Sequence, residues 1–148
     1  MRVWRISNYA DLSGSGGLRA SGRWHSAGRR IVYCAPNPAA ALLEVLVHQY
    51  LSPDEVPDTY QYLEVDIPDD VQRLRLDLSD LPDNWRDDPG ISQSYGDSWL
   101  LSEASVALEV PSVVAPATWN VLLNPLHPDI NRVRIVSVQP YFVDERLR

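Results

Sequence analysis

The chain of 148 residues contains no lysine, so all 13 of its basic side chains are Arg. A Walker-type phosphate loop ends in Lys followed by Ser or Thr, and that nucleotide-binding device is therefore excluded. Cys34 is the single cysteine. No intrachain disulfide can form, and the cytoplasm is the expected compartment. Histidine is scarce as well: His25, His48 and His127 lie far apart, and neither an H-E-x-x-H nor a C-x-x-C pair exists, so no metal site is expected. No apolar run reaches the roughly 18 residues a membrane span requires, and no shorter apolar run follows the N-terminal charges as a secretion signal would. A G-x-S-x-G elbow is also missing, which removes the strongest local sign of Ser-His-Asp hydrolysis.

What is present is unevenly distributed. Arg2, Arg5, Arg19, Arg23, Arg29 and Arg30 fall within the first 34 residues, together with five of the seven Gly and one acid, Asp11. The other 114 residues carry seven Arg against 19 acids. Planar, permanently charged forks beside bare backbone suit a pocket for a small anion such as phosphate or pyrophosphate, although surface ion pairs with the acid-rich remainder would use the same residues. The pI of about 4.8 and the 13 acids between Asp54 and Asp97 argue against a nucleic-acid groove. The run from Ser13 to Gly17 lacks the spacing of a dinucleotide fingerprint.

The pattern of apolar residues predicts one compact, sheet-rich α+β domain over residues 1–148. Strands are expected at 3–6, 31–34, 60–67 and 133–138, with alternation at Leu74, Leu76 and Leu78 and again at Val106, Leu108 and Val110, continuing through Val113 and Val114. The clearest helix starts at Asn37, an N-cap followed by Pro38, and runs to about Tyr50. Residues 82–90 read as loop, and 94–101 as a short helix carrying Trp99. Glu44 stands in the middle of the apolar helix, where a carboxylate is either held at a cleft edge by partners or lies on a solvated stripe with His48 four residues on. Tyr33 and Trp24 read as core aromatics.

Several linked segments resemble the RES-domain proteins, toxins of bacterial toxin–antitoxin pairs. They are Trp4-Arg5-Ile6, Gly22-Arg23-Trp24 before Gly28, Ile31-Val32-Tyr33-Cys34-Ala35, Ala39-Ala40-Ala41-Leu42-Leu43-Glu44 with His48, Val110-Pro111-Ser112-Val113-Val114, and Asn120-Val121-Leu122-Leu123-Asn124-Pro125 with His127-Pro128. The resemblance runs in order from residue 4 to about 128. It implies a fold similar to ADP-ribosyltransferases of the diphtheria-toxin kind, and an enzyme that consumes NAD as substrate, with no further cofactor, by hydrolysis or phosphorolysis of the nicotinamide–ribose bond. It places Arg5 and Arg23 at the anion, Tyr33 at the nicotinamide or ribose, Glu44 as the catalytic carboxylate and Ser112 as a pocket hydroxyl. Gly22, Trp24 and Asn120 complete the expected substrate contacts. Ser21 and His25 depart from the usual family residues, Gly and Asn.

The same resemblance implies a partner, a helical DNA-binding antitoxin of the Xre type, and allows a homodimer of the chain within that complex. Direct nucleic-acid or membrane binding is not expected. Three other functions stay open at this point: a mono-ADP-ribosyltransferase acting on a protein, a metal-free ribonuclease toxin using Arg, His and Tyr, and a nucleotide-binding module without turnover.

Overall fold

The computed structural model describes residues 1–147. Seven strands form two sheets. The first has the order β1 (Arg2–Ser7), β3 (Gln61–Asp66), β7 (Arg134–Pro140), all antiparallel. The second has the order β2 (Val32–Cys34), β6 (Trp119–Leu123), β5 (Ala107–Pro111), β4 (Arg73–Arg75), antiparallel except for the parallel pair β4 and β5. Two backbone hydrogen bonds of 2.8 and 2.7 Å between Trp4 and Ala35 stitch β1 to the end of β2 and join the sheets at one corner.

Burial follows from alternation along the strands. Val3 and Val65 of the first sheet pack against Val32, Cys34, Val121 and Leu123 of the second, which makes the core between them. The other face of the second sheet, through Leu108, Val110 and Leu122, is covered by Trp24, Trp85, Trp99 and Leu100. Helix α1 (Pro38–Gln49) lies on the first sheet through Ala41, Leu42 and Val45 against Ile6, Tyr60 and Tyr62. Its start is fixed as the sequence suggests, with Asn37 Oδ1 accepting from the Ala40 amide at 2.8 Å, and Tyr50 ends it in the left-handed region. No helix among the described residues is long and apolar enough to cross a membrane.

Three segments differ from the pattern in sequence. Helix α2 spans Pro89–Ser102, one turn earlier than expected, because Asp88 accepts from the Gly90 amide and Pro89 takes the first helical position. The alternation at Leu74, Leu76 and Leu78 yields only the three residues of β4: the Asp77 carboxylate accepts from the Ser79 amide and turns the chain, leaving Leu78 exposed. Val113 and Val114 do not extend β5. The Ser112 hydroxyl accepts from the amides of Val114 and Ala115 and bends the chain after Pro111, so that β6 returns alongside β5 with Ser112 N donating to Thr118 O.

Candidate active site

A cleft of about 400 Å³ opens where α1, the end of β1 and the N-terminal loops meet. Arg5 and Ile6 of β1, the glycines at 14, 16 and 17, the turn at 20–23, Tyr33 of β2 and Glu44 of α1 line it. Gly is required at three of these points, the first being Gly14, which stands at φ 66° with a Cβ position 2.7 Å from Ile31 N. A Cβ on Gly17 would lie 2.3 Å from Arg29 O, and one on Gly22 would lie 2.5 Å from the Tyr33 hydroxyl, so the loop packs on bare backbone.

Glu44 is the best-held carboxylate of the cleft. Ser112 Oγ donates to its Oε1 at 2.7 Å and Asn120 Nδ2 donates to the same oxygen at 2.8 Å. Both donors converge on Oε1, and Oε2 has no partner among the described residues. Of the two sequence readings, the cleft edge is the one found, and His48 lines the same cleft without bonding to Glu44. Ser112 is placed differently from expectation. It is buried behind Glu44 and is not part of the cleft wall. Because both its lone pairs accept backbone N–H groups of Val114 and Ala115, its proton is committed to Glu44.

Tyr33, His25 and the glycine turn form one hydrogen-bonded unit. Trp24 N donates to Tyr33 Oη at 3.0 Å, and Tyr33 Oη lies 2.7 Å from His25 Nδ1. Gly22 N–H also donates to Nδ1 at 3.2 Å, so Nδ1 must be the unprotonated nitrogen and Tyr33 the second donor to it; Nε2–H then donates to Gly17 O. Burial lowers the His25 pKa from its ordinary value and raises that of Tyr33, which keeps both groups neutral near pH 7. Burial also pushes the Cys34 thiol up to about 12, which removes it as a nucleophile. Trp24 faces the core at 3% exposure, and its side chain does not line the cleft where a substrate contact was expected.

The six N-terminal arginines separate in space. Arg2 pairs with Glu64 and Asp66, Arg29 pairs with Asp97, and Arg30 donates to Ser13 O. Only Arg5, Arg19 and Arg23 line the cleft. Arg23 Nη2 is already engaged by the carbonyls of Trp85 and Arg86 at 2.9 and 2.8 Å, with its guanidinium over the Trp85 ring. Arg5 makes no ion pair or hydrogen bond to another described side chain, and burial lowers its pKa, with Cys34 and Asp11 opposing. Arg5, half-buried at the cleft, and the exposed Arg19 are the cleft guanidiniums without a partner among the described residues, and so are available to an anion. Among the described residues, no three His, Cys, Asp or Glu side chains are grouped to hold a metal ion.

The RES domain model matches residues 2–144. The chain belongs to the RES-domain family. It is 44% identical over 147 residues to a Pseudomonas putida protein named Toxin Res, covering 99% of each chain. It is 35% identical over 154 residues to a Sphingobium protein named Prs ADP-ribosylating toxin, covering 97% of this chain and 94% of that one. A chain in the crystal structure of the M. tuberculosis MbcT–MbcA toxin-antitoxin complex superposes with a TM-score of 0.70 over 95% of this chain and 83% of its own, at 17% identity, and shares the α+β fold.

One supporting face of this RES domain is absent from the sequence reading. Ser92 Oγ donates to Arg23 O, Gln93 Nε2 donates to Gly22 O, and Asp97 accepts from both N and Oγ of Ser26. Those side chains share one face of α2 with Gly96, so the helix holds the 22–26 turn by its backbone. The signal was available in the polar cluster Ser92-Gln93-Asp97 around a mid-helix Gly, a position that otherwise weakens a helix.

Proposed function

We propose that this RES-domain protein is the toxin of a toxin–antitoxin pair and that it cleaves the bond between nicotinamide and ribose in NAD. The observation that carries the reading is Glu44, held through Oε1 with Oε2 unpartnered in a cleft that also presents Arg5. Cleavage breaks the C1′–N bond, and its electron pair stays with nicotinamide, which leaves neutral. The sugar carbon becomes oxocarbenium-like, and a fixed carboxylate beside it stabilises that charge. Water or phosphate then bonds to C1′ and loses a proton. Arg5 supplies a fork for the pyrophosphate, and the glycines let the substrate approach backbone. The Tyr33 ring makes one wall, its hydroxyl already occupied by His25. NAD is the substrate, and the chemistry needs no metal or additional cofactor.

The second reading is transfer of ADP-ribose to a protein, favoured by the printed name of the Sphingobium relative. Cleavage and transfer share the same carboxylate and differ in what reaches C1′. A DNA-binding antitoxin is the proposed partner, in line with the toxin-antitoxin complex of the M. tuberculosis neighbour. Incubation of the purified chain with NAD, with and without phosphate and with and without added cell protein, followed by product masses, tests these readings. Nicotinamide with ADP-ribose or its phosphorylated form supports cleavage. ADP-ribose found only on added protein supports transfer, and NAD left intact overturns both.

A further inference from the structure

Asn120 presents two unlike ends of one amide. Nδ2 donates to Glu44 Oε1, whereas Oδ1 is buried with no hydrogen-bond partner among the described residues. Turning the amide over would set a carbonyl oxygen against the Glu44 oxygen, two acceptors facing each other, so the contact with Glu44 fixes the orientation. A buried acceptor left unbonded carries its desolvation cost uncompensated. At this place on β6, opposite Val110, a β-branched apolar residue would fit the strand without that cost. The departure from the locally favourable choice sits one hydrogen bond from the carboxylate of the cleft, where such departures serve function. Ser112 reaches the same oxygen from the end of β5, across the hairpin that pairs Pro111 with Trp119. Two neighbouring strands thus grip one oxygen of Glu44 from two directions.

We infer that Asn120 is a positioning residue, whose amide nitrogen sets the carboxylate plane of Glu44 so that Oε2 faces the sugar carbon. This inference rests on the NAD-cleaving reading above. It assigns the function to the donor nitrogen and not to the volume of the side chain. Asp has nearly the same shape but donates only when protonated. The other titratable or charged groups on the cleft are Arg5 from β1, Tyr9, Asp11, Arg19, Arg23 and His25 from the connecting loops, Tyr33 and Cys34 from β2, His48 from α1, and Tyr60 before β3. All are common to parent and variant, so the comparison isolates position 120.

Steady-state NAD consumption by the parent, Asn120→Asp and Asn120→Val, measured from pH 5.5 to 8 with melting curves alongside, tests the inference. At pH 8 the Asp variant is expected to lose about 30-fold or more in kcat with KM within about twofold, and to regain about 10-fold toward pH 5.5 relative to the parent, as the proton returns a donor to Glu44. The Val variant is expected to lose kcat to a similar extent at every pH while melting close to the parent. An active parent with near-parent kcat in either folded variant overturns the positioning role. So does a loss that tracks the unfolded fraction in both variants. A parent that leaves NAD intact overturns the NAD reading itself, and the inference falls with it.

Discussion

Gly96, in the middle of α2, faces the carbonyl of Trp24 so closely that a Cβ added there would lie 1.6 Å from that oxygen. The helix can approach the 22–26 turn only because this side chain is missing, and the bonds from Ser92, Gln93 and Asp97 depend on that approach. Exchanging a mid-helix Gly for Ala ordinarily stabilises by about 1 kcal/mol. Here the sign is expected to reverse, with Gly96→Ala destabilising by about 3 kcal/mol and weakening NAD binding as the turn shifts. Gly16→Ala, which meets nothing within 4 Å, is the control and should leave the melting temperature unchanged. Equal melting temperatures for both variants would show that α2 does not depend on this contact.

Arg5 and Arg23 should separate in their effects. Arg5 has no side-chain partner among the described residues, so Arg5→Lys is expected to weaken NAD binding by about 10-fold through loss of the bidentate fork, with little change in stability. Arg23 ties the turn to the carbonyls of Trp85 and Arg86. Lys cannot reproduce that pair together with the stacking on Trp85, so Arg23→Lys is expected to lower the melting temperature as well. Calorimetry with NAD on a Glu44→Gln background, with melting curves, measures both. Lower stability in Arg5→Lys and none in Arg23→Lys would reverse the assignment.

Helix α1 was legible because local chemistry decides it: an Asn cap, Pro at the first turn and an unbroken apolar run agree with one another. The strands at both ends of the chain were legible for the same reason. Helix α2 was read too short and its task was missed. Its polar residues look like a solvated face, yet Ser92 is fully buried because it bonds the backbone of a loop some 70 positions earlier. The arginine cluster misled in the opposite way. Six residues close in sequence scatter in space, since strand β1 and the loops point them to different neighbours, and acids of β3 and α2 neutralise Arg2 and Arg29. The Glu44 triad with Ser112 and Asn120 joins residues up to 76 positions apart. No spacing rule reaches that far, and only the family resemblance pointed to it.

Glu44 and Ser112 should differ in degree. Glu44→Gln keeps the shape but removes the charge that meets the developing oxocarbenium, and turnover is expected to fall about 100-fold or more with the fold intact. Ser112→Ala leaves Asn120 holding Oε1 alone. About 10-fold in kcat should go, with about 1–2 kcal/mol of stability, since the amides of Val114 and Ala115 lose their acceptor. Single-turnover NAD assays and chemical denaturation check the pair. A Ser112→Ala protein as inactive as Glu44→Gln would mean that the hydroxyl does more than hold the carboxylate.

His25 makes the arginine-bearing turn sensitive to acid. Nδ1 faces two donors, Gly22 N–H and the Tyr33 hydroxyl, so a proton added there displaces at least the Gly22 contact. Burial is the main cause of the lowered pKa, and the Gly17 carbonyl and Asp97 oppose it. Since the folded value lies below the ordinary 6.5, the unfolded chain takes up the proton first as pH falls. The contribution of neutral His25 to stability is thus complete above about pH 6.5, declines as pH drops below it and levels off once the folded form is also protonated. Melting temperatures taken between pH 7.5 and 5 should fall in that window, together with NAD affinity. His25→Asn is expected to melt lower at neutral pH, having lost the reach to Gly17, but to show a flatter slope. An identical slope in the two proteins would place the acid sensitivity elsewhere and would detach the turn from it.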